Sequence, residues 1–323
     1  MAVRPEVFRD ARGGNPAPMR PFDDITRIER AQVLDKPVAA VRAVVTKVLS
    51  NRDVKDALHG VWLGHPLHPG AAQFTAGSLL SASMLDVVGG PVGGGRLPST
   101  FLIAAGLATA PVTAAAGWAD WSESHEDQMR VGLVHAAANI VGLSLYGAAL
   151  VQRARGGRGR LLSLAGGAVA TAGALLGGHL GYRQATGANH GEEIAHIGPE
   201  DWQSLGPLAE VPVGKPVQRV AGDVPVFVLR QPGSIGPDGV GPDGISVLSD
   251  RCPHLSAPLH DGEIIDVGGE AHIVCPWHSS EFRVADGCVV HGPATAPVPR
   301  FESRVVGDEL QARVVTIPGV PAS

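Results

Sequence analysis

Four apolar stretches, at roughly 70–88, 99–117, 131–151 and 161–182, fill the middle of the chain and constrain its folding more than anything else in it. At about 1.5 Å of rise per helical residue, each is about long enough to cross the ~30 Å hydrocarbon core of a bilayer. A bundle folding in water would need a polar face on every helix, yet between 161 and 178 only Ser163 and Thr171 are polar. The stretches are crowded with small residues, as in Ala114-Ala115-Ala116-Gly117 or Gly166-Gly167 with Gly173 and Gly177-Gly178. Such residues let membrane helices approach closely. The expectation is four transmembrane helices within a domain at 61–190, preceded by an amphipathic helix at 37–60 and a disordered tail at 1–36. The first 30 residues hold no apolar secretory core, and no twin arginine occurs anywhere.

The composition changes after the fourth stretch. Cys252-Pro253-His254 and Cys275-Pro276-Trp277-His278 lie about twenty residues apart, and each supplies one thiol and one imidazole. Two sulfur and two nitrogen ligands suit either a zinc ion or a two-iron cluster whose irons are ligated unequally. Zinc modules usually bring their cysteines as a close pair in one loop. One Cys and one His per loop favours the cluster.

Around these loops, residues from about 200 to 315 resemble a Rieske [2Fe-2S] domain. Asp250 to His254 with Leu259 and Gly262 is similar to its first cluster loop. Cys275 to His278 with Phe282 and Gly287 is similar to the second, and Gly292-Pro293-Ala294 through Pro299 to its proline loop. Trp202 to Arg230 reads as short strands of its β scaffold. The resemblance implies Cys252, His254, Cys275 and His278 as cluster ligands. Respiratory members place a Ser and a Tyr after the second His as hydrogen-bond donors; Ser280 fits the first and Phe282 replaces the second. Their inter-loop disulfide falls on Ala257 and Trp277 and has no counterpart, and Ser279 stands where Gly is common. A potential between ferredoxin-like and respiratory values is expected. Cys288 has no ligand role and is expected to be a small buried apolar residue.

The segment from about 60 to 190 resembles bacterial four-helix membrane domains of unknown function that begin with the turn seen here as Gly64-His65-Pro66-Leu67-His68-Pro69. Gly117-Trp118-Ala119-Asp120-Trp121 and His135 belong to that likeness. Four crossings would place His65, His68, Asp120, His125, His135, His179 and His190 towards one face, with the Rieske domain on the same side. Three roles suit these histidines: haem b ligation through two imidazoles, a quinone or proton site, or structural hydrogen bonds at the interface. His135 and His179 are the better ligand candidates, with His68 beside them, although Pro66 and Pro69 also mark a helix start there. Asp86 is expected at the opposite interface.

The net charge of −5 and the lack of a dense basic face exclude a nucleic-acid partner. About 45 residues follow His278 and contain no two-His, one-carboxylate set, which argues against an oxygenase catalytic subunit. Arg153, Arg155, Arg158 and Arg160 pull one loop towards the cytoplasm, while Arg52, Lys55, Arg130 and Arg183 pull the other side. The absence of an export signal and of a disulfide favours a cytoplasmic Rieske domain. The expected architecture is a four-span α-helical membrane bundle followed by an all-β Rieske domain at 200–317. The expected role is a multi-pass cell-membrane protein carrying single electrons to or from a redox partner protein or quinone. The alternative is a quinol- or haem-linked oxidoreductase using the histidine-rich face.

Overall fold

A computed structural model of the chain describes residues 22–89, 95–231 and 244–315. It begins with α1 (Phe22–Glu29), α2 (Asp35–Val48) and α3 (Arg52–His59). The region expected to be one amphipathic helix is two, because Asn51 starts the second: its side chain accepts the N–H of Val54 at 3.0 Å. Leu34, Val38, Val41 and Val45 recur at helical spacing and pack on Trp118, Trp121, Met129 and Leu133. Part of the expected tail is also ordered, since α1 is held where Arg130 donates to the Glu29 carbonyl at 2.8 Å. Residues 1–21 lie outside the described part.

Four long helices follow: α4 (Leu67–Gly89), α5 (Arg96–Ser122), α6 (Glu126–Ala154) and α7 (Arg160–Gly178), the last running into a π-helical turn at His179–Arg183. α4 packs on α5 and α7, and α6 closes the ring by packing on the same two. The bundle is apolar outside and partly polar inside. Phe74, Met84, Phe101, Ile140, Leu161 and Leu175 point outward and are more than half exposed. Inside, Thr75 bonds Thr109 and Thr113 at 2.9 and 2.8 Å. One turn further, Leu79, Ala82, Ile103 and Tyr146 form an apolar layer, above a second polar layer where Ser83 meets the Tyr146 hydroxyl at 2.8 Å.

The far end of the bundle holds a buried ion pair between Asp86 and Arg153, and Arg153 also donates to Ser99 Oγ at 2.8 Å. Asp86 therefore sits at the expected end of its helix but buried in a pair, and Arg153, expected in the loop, belongs to the last turn of α6. The pair reaches across that end of the bundle from the last turns of α4 and α6, so the two charges neutralise each other. Among the described residues three helical segments are long and apolar enough to cross a membrane, Arg96–Ser122, Glu126–Ala154 and Arg160–Arg183. α4, with Gln73 and Asp86, falls short of that apolarity.

A short α8 (Ile194–Ile197) leads into the β region. Its strands are β1 (Gln203–Pro207), β2 (Val217–Ala221), β3 (Val224–Arg230), β4 (Ile245–Ser249), β5 (Glu263–Val267), β6 (Glu270–Val274), β7 (Glu281–Arg283), β8 (Val289–His291), β9 (Arg300–Val306) and β10 (Glu309–Val314). Six form an antiparallel sheet in the order β1-β10-β9-β4-β3-β2, and four a second sheet in the order β5-β6-β7-β8. Phe227, Leu229 and Leu248 of the first sheet share a core with Ile273 and Phe282 of the second.

Removing one partner from the Asp86–Arg153 pair strands a charge in an apolar bundle, which costs about 3–5 kcal/mol. Asp86→Ala is expected to lower the thermal midpoint of the detergent-solubilised protein sharply, whereas Asp86→Leu combined with Arg153→Met recovers much of the loss. Circular dichroism melts check both.

Candidate iron–sulfur centre

The loop from β4 to β5 carries Cys252 and His254, and the loop from β6 to β7 carries Cys275 and His278. The two loops are the same turn used twice. Ser256 and Ser279 donate their N–H groups to the carbonyls of Cys252 and Cys275 at 2.8 and 3.1 Å. The cysteine N–H groups donate to Ala257 and Ser280 carbonyls at 2.9 and 2.8 Å. Both serines adopt left-handed backbone, with φ of 63° and 58°, a conformation that glycine takes at less cost and that accounts for glycine being common at the position of Ser279.

Each loop is braced from behind. Buried Asp250 accepts from the His260 N–H at 2.8 Å and from Gln218 at 2.6 Å. On the second loop the Ser280 hydroxyl accepts the Ala294 N–H at 2.9 Å, which ties the loop to the proline segment and leaves the hydroxyl proton free to donate elsewhere. Gly287, at φ 72°, lets that segment approach: a Cβ there would fall 2.3 Å from the Val298 carbonyl.

Both sulfurs are buried in the core between the sheets, while the imidazoles are half-buried at its edge. The Cys275 sulfur hydrogen-bonds that of Cys252. This bond, with burial, raises the Cys252 thiol well above its usual range, while the same bond and the Trp277 and His278 N–H groups lower Cys275 to about 7 against the opposing effect of burial. Burial pushes both His254 and His278 below the ordinary imidazole range, with neighbouring histidines adding to the effect at His254. Neutral imidazoles and a readily lost thiol proton are the protonation states that metal binding needs. The His254 and His278 rings stand 5.0 Å apart at 89°. Among the described residues no three His, Cys, Asp or Glu side chains converge as a single metal ion would require. Paired thiols on one side and paired imidazoles on the other fit a group with two metals better than one zinc ion.

The imidazole edge faces the end of the helical bundle. The His125 ring, at the start of α6, lies 6.0 Å from His278 and 5.4 Å from Trp277. The His190 N–H donates to the Pro253 carbonyl at 2.9 Å. α3 bridges the two regions. Its Arg52 reaches Glu281 at 2.8 Å, Asp56 takes the His291 ring at 2.6 Å and the Gly292 N–H at 2.9 Å, Lys55 pairs with Glu123, and buried His59 bonds Asp120 at 2.8 Å. These positions escaped sequence reasoning, although the i, i+3, i+4, i+7 spacing of Arg52, Lys55, Asp56 and His59 is a readable signal.

The histidines proposed for a second cofactor are placed separately. The His68 and His135 rings lie 6.4 Å apart, each with Nδ1 on a backbone carbonyl: Thr113 at 2.9 Å and Gly173 at 2.7 Å. His179 is buried and bonds Glu29 of α1 at 2.6 Å. His65 bonds the Pro66 carbonyl at 3.1 Å. Cys288, expected to be buried, is half-buried beside Asp286, which accepts its N–H at 3.0 Å.

Matched Cys/His loops on a two-sheet antiparallel scaffold are the architecture of a Rieske-type module. Residues 201–302 match the Rieske [2Fe-2S] domain family, and this part of the chain is a Rieske domain with a [2Fe-2S] cluster as its cofactor. The oxygenase component of dicamba O-demethylase from Stenotrophomonas maltophilia is 34% identical over 110 residues, which are 33% of this chain and only 29% of that protein. The ferredoxin subunit of anthranilate 1,2-dioxygenase from Burkholderia cepacia is 29% identical over 114 residues, 35% of this chain and 93% of the subunit. Among solved structures, the ferredoxin of carbazole 1,9a-dioxygenase from Nocardioides aromaticivorans aligns with 23% identity over 35% of this chain and 99% of that one, at a TM-score of 0.29.

Cys275→Ser is expected to abolish cluster-bound iron and acid-labile sulfide while the helical content stays near wild type. Metal analysis beside far-ultraviolet dichroism checks this. Burial disfavours charge on Glu281, but hydrogen bonds from His272 and Arg52 outweigh it and hold its carboxyl below the usual range. A depressed carboxyl contributes stability that is full above the ordinary carboxylate range and lost as pH falls through the lowered value. Acid unfolding of the β domain should therefore begin at higher pH in Arg52→Ala, as read by near-ultraviolet dichroism.

Proposed function

We propose that the chain is a membrane-anchored one-electron carrier in which Cys252 and Cys275 hold one iron of the cluster and His254 and His278 the other. The observation that carries this reading is the pair of matched loops, with thiols in the core and imidazoles at the edge. When bound, the cluster supplies reversible transfer of single electrons. The protein's own residues fix that centre: Asp250 and Ser280 brace the loops, the paired sheets bury the sulfurs, and His125 with α3 covers the imidazole edge. Trp277, 48% exposed next to His278, is an open edge at which a redox partner protein can approach. Likeness to nearly the whole of a dioxygenase ferredoxin subunit supports a carrier that passes electrons to a separate protein.

The helical domain, taken as 61–190, anchors the carrier domain at 200–317 to the lipid bilayer through four spans, α4 included. Its inverted polarity supports this, since outward Phe74 and Met84 put α4 in the same apolar belt as its neighbours. A haem b or quinone in the helical domain is the second reading. It draws on the close approach of His68 and His135, whose Nδ1 atoms sit on carbonyls, with Asn139 Nδ2 3.1 Å from Nε2 of His135.

A reduced-minus-oxidised optical spectrum of the detergent-purified protein, with a coulometric titration, tests both. One electron per chain and broad cluster bleaching are expected, from protein that stays with membranes after an alkaline carbonate wash. Release by carbonate removes the anchor, absence of bleaching removes the carrier, and a sharp additional haem band establishes the second reading.

A further inference from the structure

α2 and the turn before it pack on the bundle by one face. Leu34, Val38, Val41 and Val45 rest on Trp118 and Trp121 near the end of α5 and on Met129 and Leu133 near the start of α6, so α2 lies across the end of the bundle nearest the cluster loops. Beside that face runs a second apolar stripe, open to the outside. It starts at Val33, just ahead of α2, and continues through Pro37, Ala40, Val44 and Val48 at intervals of three or four residues. Its three valines are 82, 62 and 73% exposed.

Arg42 tells which way the stripe faces. It precedes Val44 by two residues, about 200° around a helix, and so projects from the opposite side. Its Nε donates to the Ser122 carbonyl at 3.0 Å, and three residues further on the His125 ring lies 6.0 Å from His278. Arg42 is thus on the side of the cluster loops. The Val44 side looks away from the Rieske domain, along the flank of the bundle, whose outward surface is apolar.

The level of α2 agrees with this. Outward Val112 on α5 precedes Trp118 by six residues, about 9 Å along the helix, and outward Leu175 precedes Tyr182 by seven, about 10 Å. α2 therefore sits as far beyond the apolar belt as Tyr182, which is 96% exposed, and Trp62 is exposed at the same end, in the turn before α4. Exposed Tyr and Trp at the end of an apolar belt favour the headgroup layer of a bilayer. Lys36 and Lys47, eleven residues apart and so on one side of the helix, border the stripe on the flank away from the bundle. An apolar stripe edged by lysines suits a helix lying in the plane of a lipid interface.

We propose that α2 lies in the headgroup layer of the leaflet nearest the cluster, with its open stripe on the acyl-chain boundary and Lys36 and Lys47 among the lipid phosphates. The proposal rests on the membrane-anchor reading and adds to it a second contact with lipid. Because Arg42 on the other side of α2 holds the turn that carries His125, this contact fixes how high His278 stands above the bilayer.

The test uses the full chain with its cluster oxidised, and therefore diamagnetic, in nanodiscs of phosphatidylcholine and phosphatidylglycerol. A nitroxide is placed in turn on Val44→Cys, Val48→Cys, Thr46→Cys and Ile140→Cys, each combined with Cys288→Ala, and its collisions with oxygen and with a water-soluble nickel chelate are read by power saturation. An unchanged cluster spectrum shows that each variant folds. At positions 44 and 48 collisions with oxygen are expected to exceed those with nickel about three-fold or more, and at 46 the order is reversed. Adding Lys36→Glu and Lys47→Glu is expected to lower the ratio at 44 by about half. Nickel-dominated collisions at 44 and 48, with 140 still oxygen-dominated, put the stripe in water and overturn the proposal. Shielding of 44 and 48 from both agents also overturns it, since the cover is then protein, either residues 1–21 or a second copy of the chain. A ratio at 44 indifferent to the lysine changes removes the phosphate contacts. Nickel-dominated collisions at 140 count instead against the anchor reading, because that position lies in the apolar belt and away from α2.

Discussion

The polar face of α3 is what makes one molecule of two dissimilar parts. Arg52, Lys55, Asp56 and His59 recur along one side of two helical turns, and their partners alternate between the β domain and the bundle. An exposed ion pair contributes little, but these contacts are largely shielded, Glu281 and His59 being almost wholly buried. Several such contacts on one rigid helix fix an angle as well as a distance. The imidazole edge is thereby held against the start of α6 and the turn after α7.

The bundle below it is assembled on an inverted plan. Hydroxyls and one ion pair lie inside, and large apolar side chains lie outside. In hydrocarbon, apolar surface gains little by burial, so helix association depends on close packing and on interhelical hydrogen bonds. Gly117 illustrates the first, since a Cβ there would strike the His68 ring at 2.7 Å. The Leu79–Ile103 layer separates the two polar layers, so the hydroxyls stitch helices together and do not form a continuous polar path.

The ligand loops were legible because their chemistry is local: residue type and spacing within one loop determine which atoms can meet. The four long helices and the strands β1 to β3 were legible for the same reason, as periodicity is a property of short windows. What stayed hidden was long-range. Asp86 and Arg153 are separated by most of two helices, and nothing near either residue announces the other. His59 drew no reading from the sequence, and its burial against Asp120 follows only from α3 lying between the two parts. The tail was misjudged because α1 is only two turns long and is ordered by Arg130 and His179, which lie far away in the sequence.

The repeated turn at Ser256 and Ser279 carries a consequence for the symmetry of the centre. The backbone offers two equivalent cradles, but the histidine follows its cysteine by two residues in one and by three in the other. The two turns are equal in length, so the histidines leave the frame at different positions, and their ring planes stand at 89°. The two imidazoles are thus unequal by position alone, His278 following Trp277 on an otherwise duplicated frame.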